Sequence, residues 1–106
     1  MTSDGDRLLE ILGALANPHR LRIIAALNDN GRTYVSQLAR KLGISRPLLH
    51  LHLRKLEDAG LVTSQLELSA EGKALKYFTV CPFKFVMTPL DIAAAAHSLN
   101  PSSKQT

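Results

Sequence analysis

Apolar residues recur at helical spacing from the start of the chain. Leu8, Ile11, Leu12 and Leu15 mark one face of a first helix, which Asn17-Pro18 closes. The same dipeptide opens the next helix, because an Asn side chain accepts from free N–H groups and a proline at the first helical position lacks an N–H that would have no partner there. Leu21, Ile24 and Leu27 are expected as the buried face of this second helix, with Asn28-Asp29-Asn30-Gly31 stopping it. Thr33 stands where it would cap a third helix over 34–42, with Val35, Leu38 and Leu42 inward and Gly43 ending it in a left-handed turn. Ser45 caps a fourth, with Pro47 in its first turn, running to Ala59 and Gly60.

From Leu61 the period shortens to two. Val62, Ser64, Leu66 and Leu68 alternate with Thr63, Gln65 and Glu67, and a second stretch over 74–80 carries Tyr77, Phe78, Thr79 and Val80. With Ser69-Ala70-Glu71-Gly72-Lys73 between them, these read as a β-hairpin. An extended connector over 81–87 leads to Thr88-Pro89 and a last helix through the alanines at 93–96 to Leu99. Residues 101–106 are expected to be a flexible tail, and no internal repeat or low-complexity segment is present. The expected fold is mainly α with a small hairpin: five helices plus a wing in one domain over 1–100.

Only Gly43-Ile44-Ser45 separates the third and fourth helices, so 34–59 forms a helix-turn-helix with the hairpin at 61–80 directly after it. With Leu49, Leu53 and Leu56 inward, a rotation of about 100° per residue turns Pro47, His50, Leu51 and Arg54 outward and leaves Lys55 on the flank. Such a helix fits a DNA major groove, where Arg grips guanine and His meets a base edge. Ser45 and Arg46 stand at its N-terminus, where N–H groups favour phosphate. The outward Leu51 either touches thymine methyls or packs on a neighbouring helix.

Charge placement supports a polyanion-binding face. Eight Lys/Arg fall between Pro18 and Leu56 against the single acid Asp29, a local +7 that leaves −3 for the rest of a chain of net charge +4. Cations beside phosphates release condensed counterions, which is the main source of DNA affinity. A solvated basic surface would show the same count. Arg40 and Lys41 fit either role, and so does the polar Gln37; Lys73 and Lys76 reach towards phosphate from the wing, with Glu67 and Glu71 close by in sequence.

The 106 residues allow one domain, and no apolar run approaches the roughly 20 residues of a membrane span. The N-terminal residues carry neither a basic region nor an apolar stretch, so a cytoplasmic protein is expected. One cysteine, Cys81, excludes an internal disulfide; it reads as a small buried residue at a strand end or as a redox switch across a dimer. His50 and His52 lie two apart, a spacing that separates them around a helix and argues against a shared metal. Base or phosphate contact suits His50, and packing or hydrogen bonding on the helix flank suits His52. No glycine-rich phosphate loop, nucleophile elbow or catalytic carboxylate pair is present, so no catalytic residue, cofactor or metal is assigned.

Two stretches carry a family resemblance. Leu15-Ala16-Asn17-Pro18-His19-Arg20-Leu21-Arg22-Ile23-Ile24 resembles the entry motif of ArsR-type winged-helix repressors. The run from Ser45-Arg46-Pro47-Leu48 through Ala59-Gly60-Leu61-Val62 is similar to that family's recognition helix and its exit into the wing, with Gly72-Lys73 at the wing turn. The resemblance covers residues 8–80. It implies a homodimer joined through terminal helices over 4–16 and 89–99, binding an inverted repeat to control transcription. Interface residues would be Leu8, Ile11, Leu12 and Leu15 from the first helix, with Leu90, Ala93, Ala94 and Leu99 from the last.

The chain departs from two metal-sensing motifs of the family. Tyr34-Val35-Ser36 occupies the place of a Cys-x-Cys pair, and Asp91-Ile92-Ala93 has alanine where an Asp-x-His motif has histidine. A regulator unresponsive to metals is therefore expected, with double-stranded DNA and a second copy as partners and no membrane partner. Two alternatives stay open. One is a winged-helix module that docks on protein through Leu48 and Leu51; the other is a regulator with an unknown organic effector near the dimer helices.

Overall fold

The computed structural model describes residues 4–101. Five helices and three short strands follow in the order α1 (Asp4–Leu15), α2 (Pro18–Asn30), β1 (Thr33–Tyr34), α3 (Val35–Leu42), α4 (Arg46–Asp58), β2 (Val62–Leu68), β3 (Ala74–Val80) and α5 (Pro89–His97). Apart from Pro101, the segment expected as a tail lies outside the described residues. Among the described residues no helix is long and apolar enough to cross a membrane.

Local chemistry accounts for most boundaries. The Asn17 side chain accepts from the backbone N–H of His19 and Arg20, with Pro18 at the first position of α2. Ser45 accepts from Leu48 N at the start of α4. Thr88 and Asp91 cap α5 reciprocally: each side chain accepts from the other's backbone N–H. Gly43 ends α3 at φ 65°, ψ 34°, a left-handed conformation that a residue with a Cβ adopts at a cost.

The start of α3 differs from expectation. Tyr34, not Thr33, is its N-terminal flanking residue, and no side chain caps it. Thr33 instead belongs to β1, which pairs antiparallel with β3 through Thr33↔Phe78 and Tyr34↔Tyr77. Its hydroxyl donates back to Gly31 O at 3.0 Å. The hairpin thereby becomes a three-stranded sheet of order β1-β3-β2.

A single core lies between α1–α4 and the base of the sheet. Ile23, Leu27, Leu38, Leu49, Leu53, Leu56, Leu61, Val62 and Phe78 are buried, as is Ile11. Each such side chain stabilises the fold by roughly 1.5–3 kcal/mol relative to exposure. Leu21 was expected inside α2 but is 54 % exposed; Ile23 occupies that place. Ile23 and Leu27 stand four apart on the arc that α4 and β3 cover, and Leu21 lies about 120° around the helix from Leu27. Burial also fades along the hairpin: Val62 is buried, whereas Leu66 and Leu68 are exposed because the wing extends beyond the helices. Helix α5 packs on α1 and buries none of its own residues.

Candidate nucleic-acid interface

Leu49, Leu53 and Leu56 anchor α4 in the core. That anchoring sets the opposite face outward: Arg46, Pro47, His50, Leu51, Arg54 and Lys55 are all exposed. Leu51 at 55 % exposure shows that the helix has the orientation expected from its leucines. Ser45 sits at the exposed N-terminus with its hydroxyl engaged as the cap. From α3, Arg40 is exposed and Gln37 half-buried.

The wing adds a cation to this face. Lys76 of β3 joins His50, Arg54, Glu57 and Asp58 around a cleft of about 370 Å³, and its ammonium lies 5.5 Å from the centre of the Phe78 ring. The Ser64 hydroxyl donates to Glu57 at 2.8 Å, which ties β2 to the C-terminal turn of α4. Lys73 stands exposed at the wing turn, where Ser69 N–H donates to its carbonyl at 2.7 Å.

Glu67 does not oppose Lys76. In the register Leu66↔Lys76 and Glu67↔Leu75, Lys76 and Glu67 project from opposite faces of the hairpin. Glu67 forms a two-pronged ion pair with Arg32, one branch of which measures 3.0 Å. Hydrogen bonding from Arg32 holds the Glu67 carboxyl below its ordinary pKa. The Arg32 guanidinium also lies 4.2 Å from the centre of the Tyr77 ring, which Tyr34 meets edge-on. This lock between the α2–β1 loop and the wing joins residues 35 apart in sequence, and no local pattern marks it.

Several of the eight cations counted in the sequence serve the fold. Arg32 is one. Lys41 donates to the Asn30 side chain at 3.0 Å. Arg20 donates through Nε to Ala14 O at 2.6 Å and through Nη2 to Gly13 O at 3.4 Å, closing the C-terminal end of α1. Its Nη1 lies 3.1 Å from His52 Nδ1. A guanidinium only donates, so Nδ1 is the acceptor and the neutral His52 carries its proton on Nε2. His52 is 6 % exposed, with the His19 ring 5.2 Å away. Burial first, then the Arg20 charge and then His19, push the His52 pKa below its ordinary 6.5. His52 thus has a flank hydrogen-bonding role, while His50 remains outside.

At the opposite end, Leu8, Leu12, Ile92 and Leu99 line an apolar groove of about 150 Å³ between α1 and α5. Ile11, expected at a dimer interface, is 3 % exposed and belongs to the chain's own core, because it lies on the face of α1 turned to the other helices. Leu15 also packs partly against that core. Leu90 is 80 % exposed, and Ala93 and Ala94 are exposed beside it. Cys81 is half-buried rather than buried, and its N–H donates to Leu61 O just past β3. Among the described residues no group of three or more His, Cys, Asp or Glu is placed to hold a metal ion.

Comparison with known proteins matches residues 15–65 to the family described as a helix-turn-helix domain. Over 72 residues the chain is 43 % identical to an uncharacterized HTH-type transcriptional regulator of Methanocaldococcus jannaschii, covering 68 % of this chain and 74 % of that one. The cadmium metal-sensor CmtR of Mycobacterium tuberculosis is 38 % identical at a TM-score of 0.55, over 69 % of this chain and 69 % of that one. The chain spans half the length of the curated CmtR sequence. A transcriptional regulator of the ArsR family shares the fold at a TM-score of 0.61 and 22 % identity, over 86 % of this chain and 85 % of that one. Relatives and fold agree with the motifs at 15–24 and 45–62: the chain belongs to the helix-turn-helix transcription regulators, DNA-binding proteins rather than enzymes, and shares the winged fold of the ArsR-family structure.

Proposed function

We propose that two copies of this chain bind an inverted repeat in DNA, each seating α4 in a major groove, with half-sites about 34 Å apart or a multiple of that. The observation that carries this reading is the exposed run Arg46, His50, Arg54 and Lys55 on a helix whose leucines are locked inside, with Lys76 of the wing beside it. Arg46, His50 and Arg54 read base edges, with Pro47 and Leu51 against the groove surface. Ser45, Gln37, Arg40, Lys55, Lys73 and Lys76 contact the backbone. Leu51 also suits a protein-docking patch, but the cations around it favour DNA.

The second copy covers α5. Leu90 and Ile92 are 80 % and 49 % exposed on a helix with no buried residue, Leu99 just past its end is 36 % exposed, and Leu8 and Leu12 line the groove beside them. We place the protein in the cytoplasm and take its DNA binding to be independent of metal, since Asp91 is engaged in the α5 cap and Tyr34-Val35-Ser36 supplies no thiolate.

Gel-shift titration tests the reading. Arg54→Ala is expected to weaken binding to the specific duplex by about 10–100-fold, with a smaller loss on random duplex. Equal losses on both would remove base reading by Arg54. Affinity should fall steeply with salt, and a flat response would remove the phosphate contacts.

A further inference from the structure

His52 lies on the helix proposed to read DNA, yet it faces inward. We propose that the Arg20–His52 hydrogen bond is a proton-sensitive latch that holds α4 in its DNA-reading position; this rests on the DNA-binding reading above. Arg20 spans three elements: it belongs to α2, closes the end of α1 through Gly13 O and Ala14 O, and reaches α4 through His52 Nδ1. The bond at 3.1 Å exists only while Nδ1 is unprotonated, because a guanidinium has no acceptor to offer an imidazolium. Protonation turns the contact into two like charges in a site where His52 is 6 % exposed.

The groups whose charge bears on His52 are Arg20 and His19, both from α2 and both of the wrong sign to hold an imidazolium. Glu10 of α1 and Lys55 and Asp58 of α4 line the open cleft beside Arg20. Glu10 is paired with Arg7, and the Arg20 guanidinium stands between that cleft and His52. In acid, Arg20 and His52 separate, and the tie between α4 and the α1–α2 corner opens. His52 and Arg20 are positioning residues: they touch no DNA.

The test is fluorescence anisotropy with a labelled duplex at constant ionic strength between pH 8 and pH 5, on the wild type and on His52→Asn. The Asn side-chain oxygen keeps an acceptor near the place of Nδ1 and does not titrate. Wild-type affinity is expected to fall about tenfold across this range, the equivalent of one pKa unit of coupling, while His52→Asn holds or gains affinity in acid. Binding at pH 8 followed by parallel profiles in the two proteins would overturn the latch alone. A wild type that binds no duplex even at pH 8 would overturn the DNA-reading proposal itself. Should His52→Asn fail to fold, an imidazole NMR titration of the wild type decides: affinity lost while His52 is still neutral overturns the latch, and coincident midpoints support it.

Discussion

Arg20 shows how one side chain changes meaning between sequence and fold. Counted along the chain it adds to a basic run facing DNA; in the structure it donates to Gly13 O, Ala14 O and His52. Arg20→Ala would leave a buried imidazole and two helix-end carbonyls without this donor, a loss of about 2–4 kcal/mol in urea unfolding at neutral pH. The pH dependence has a definite sign. Because the folded-state pKa of His52 lies below 6.5, the unfolded chain binds more protons in the interval between the two values. Its contribution is therefore complete above pH 6.5 and is lost as pH falls through the folded-state value. Wild-type thermal midpoints should drop between pH 7.5 and pH 5.5 more steeply than those of His52→Asn; equal slopes would assign the acid sensitivity to other groups.

Among elements, the caps of α2 and α4 were legible in the sequence, whereas the one expected of Thr33 is not formed. Asn17, Ser45 and Thr88 each satisfy N–H groups within three residues, so their role follows from local sequence. Gly43 is equally local: its positive φ sets the turn between α3 and α4. Gly43→Val should cost about 1–2 kcal/mol in denaturant unfolding and weaken DNA binding through the altered helix crossing. A substitution without effect on either would show that the turn tolerates other geometries. Strand β1 escaped the sequence reading because its partners, Tyr77 and Phe78, lie more than forty residues away. The position of Leu21 escaped it for a related reason. Leu21, Ile24 and Leu27 satisfy helical spacing as well as Ile23 and Leu27 do, and only the placement of α4 and β3 selects the buried arc.

The molecule as a whole is elongated, with principal extents of 53 × 26 × 25 Å. Its sides are unlike: cations surround α4 and the wing, while apolar side chains crowd α5 and the connector, including Phe83, Phe85, Val86 and Met87. A chain with so much uncovered apolar surface is expected to sediment as a dimer. Ile92→Asp, which puts a charge into the groove beside α1, should shift it to monomer and reduce affinity for an inverted repeat more than for a single half-site. A wild type that stays monomeric at micromolar concentration would remove the paired-groove arrangement. Gly5 belongs to the same corner: a Cβ there would meet the Ala95 carbonyl and the Leu99 side chain, so α1 and α5 approach as closely as they do only because residue 5 has none.

Residues acting within a turn or two of themselves determined the five helices, their stops, the hairpin and the outward face of α4, because caps, periodicity and glycine turns need no distant partner. Tertiary structure alone decided which cations remain available for DNA. Arg20, Arg32 and Lys41 are drawn into contacts with His52, Glu67 and Asn30, while Lys76 and Glu67 are parted onto opposite faces of the wing. A charge carries the same sign wherever the chain places it, but whether it meets a phosphate, a carboxylate or a carbonyl depends on neighbours that only folding brings within reach.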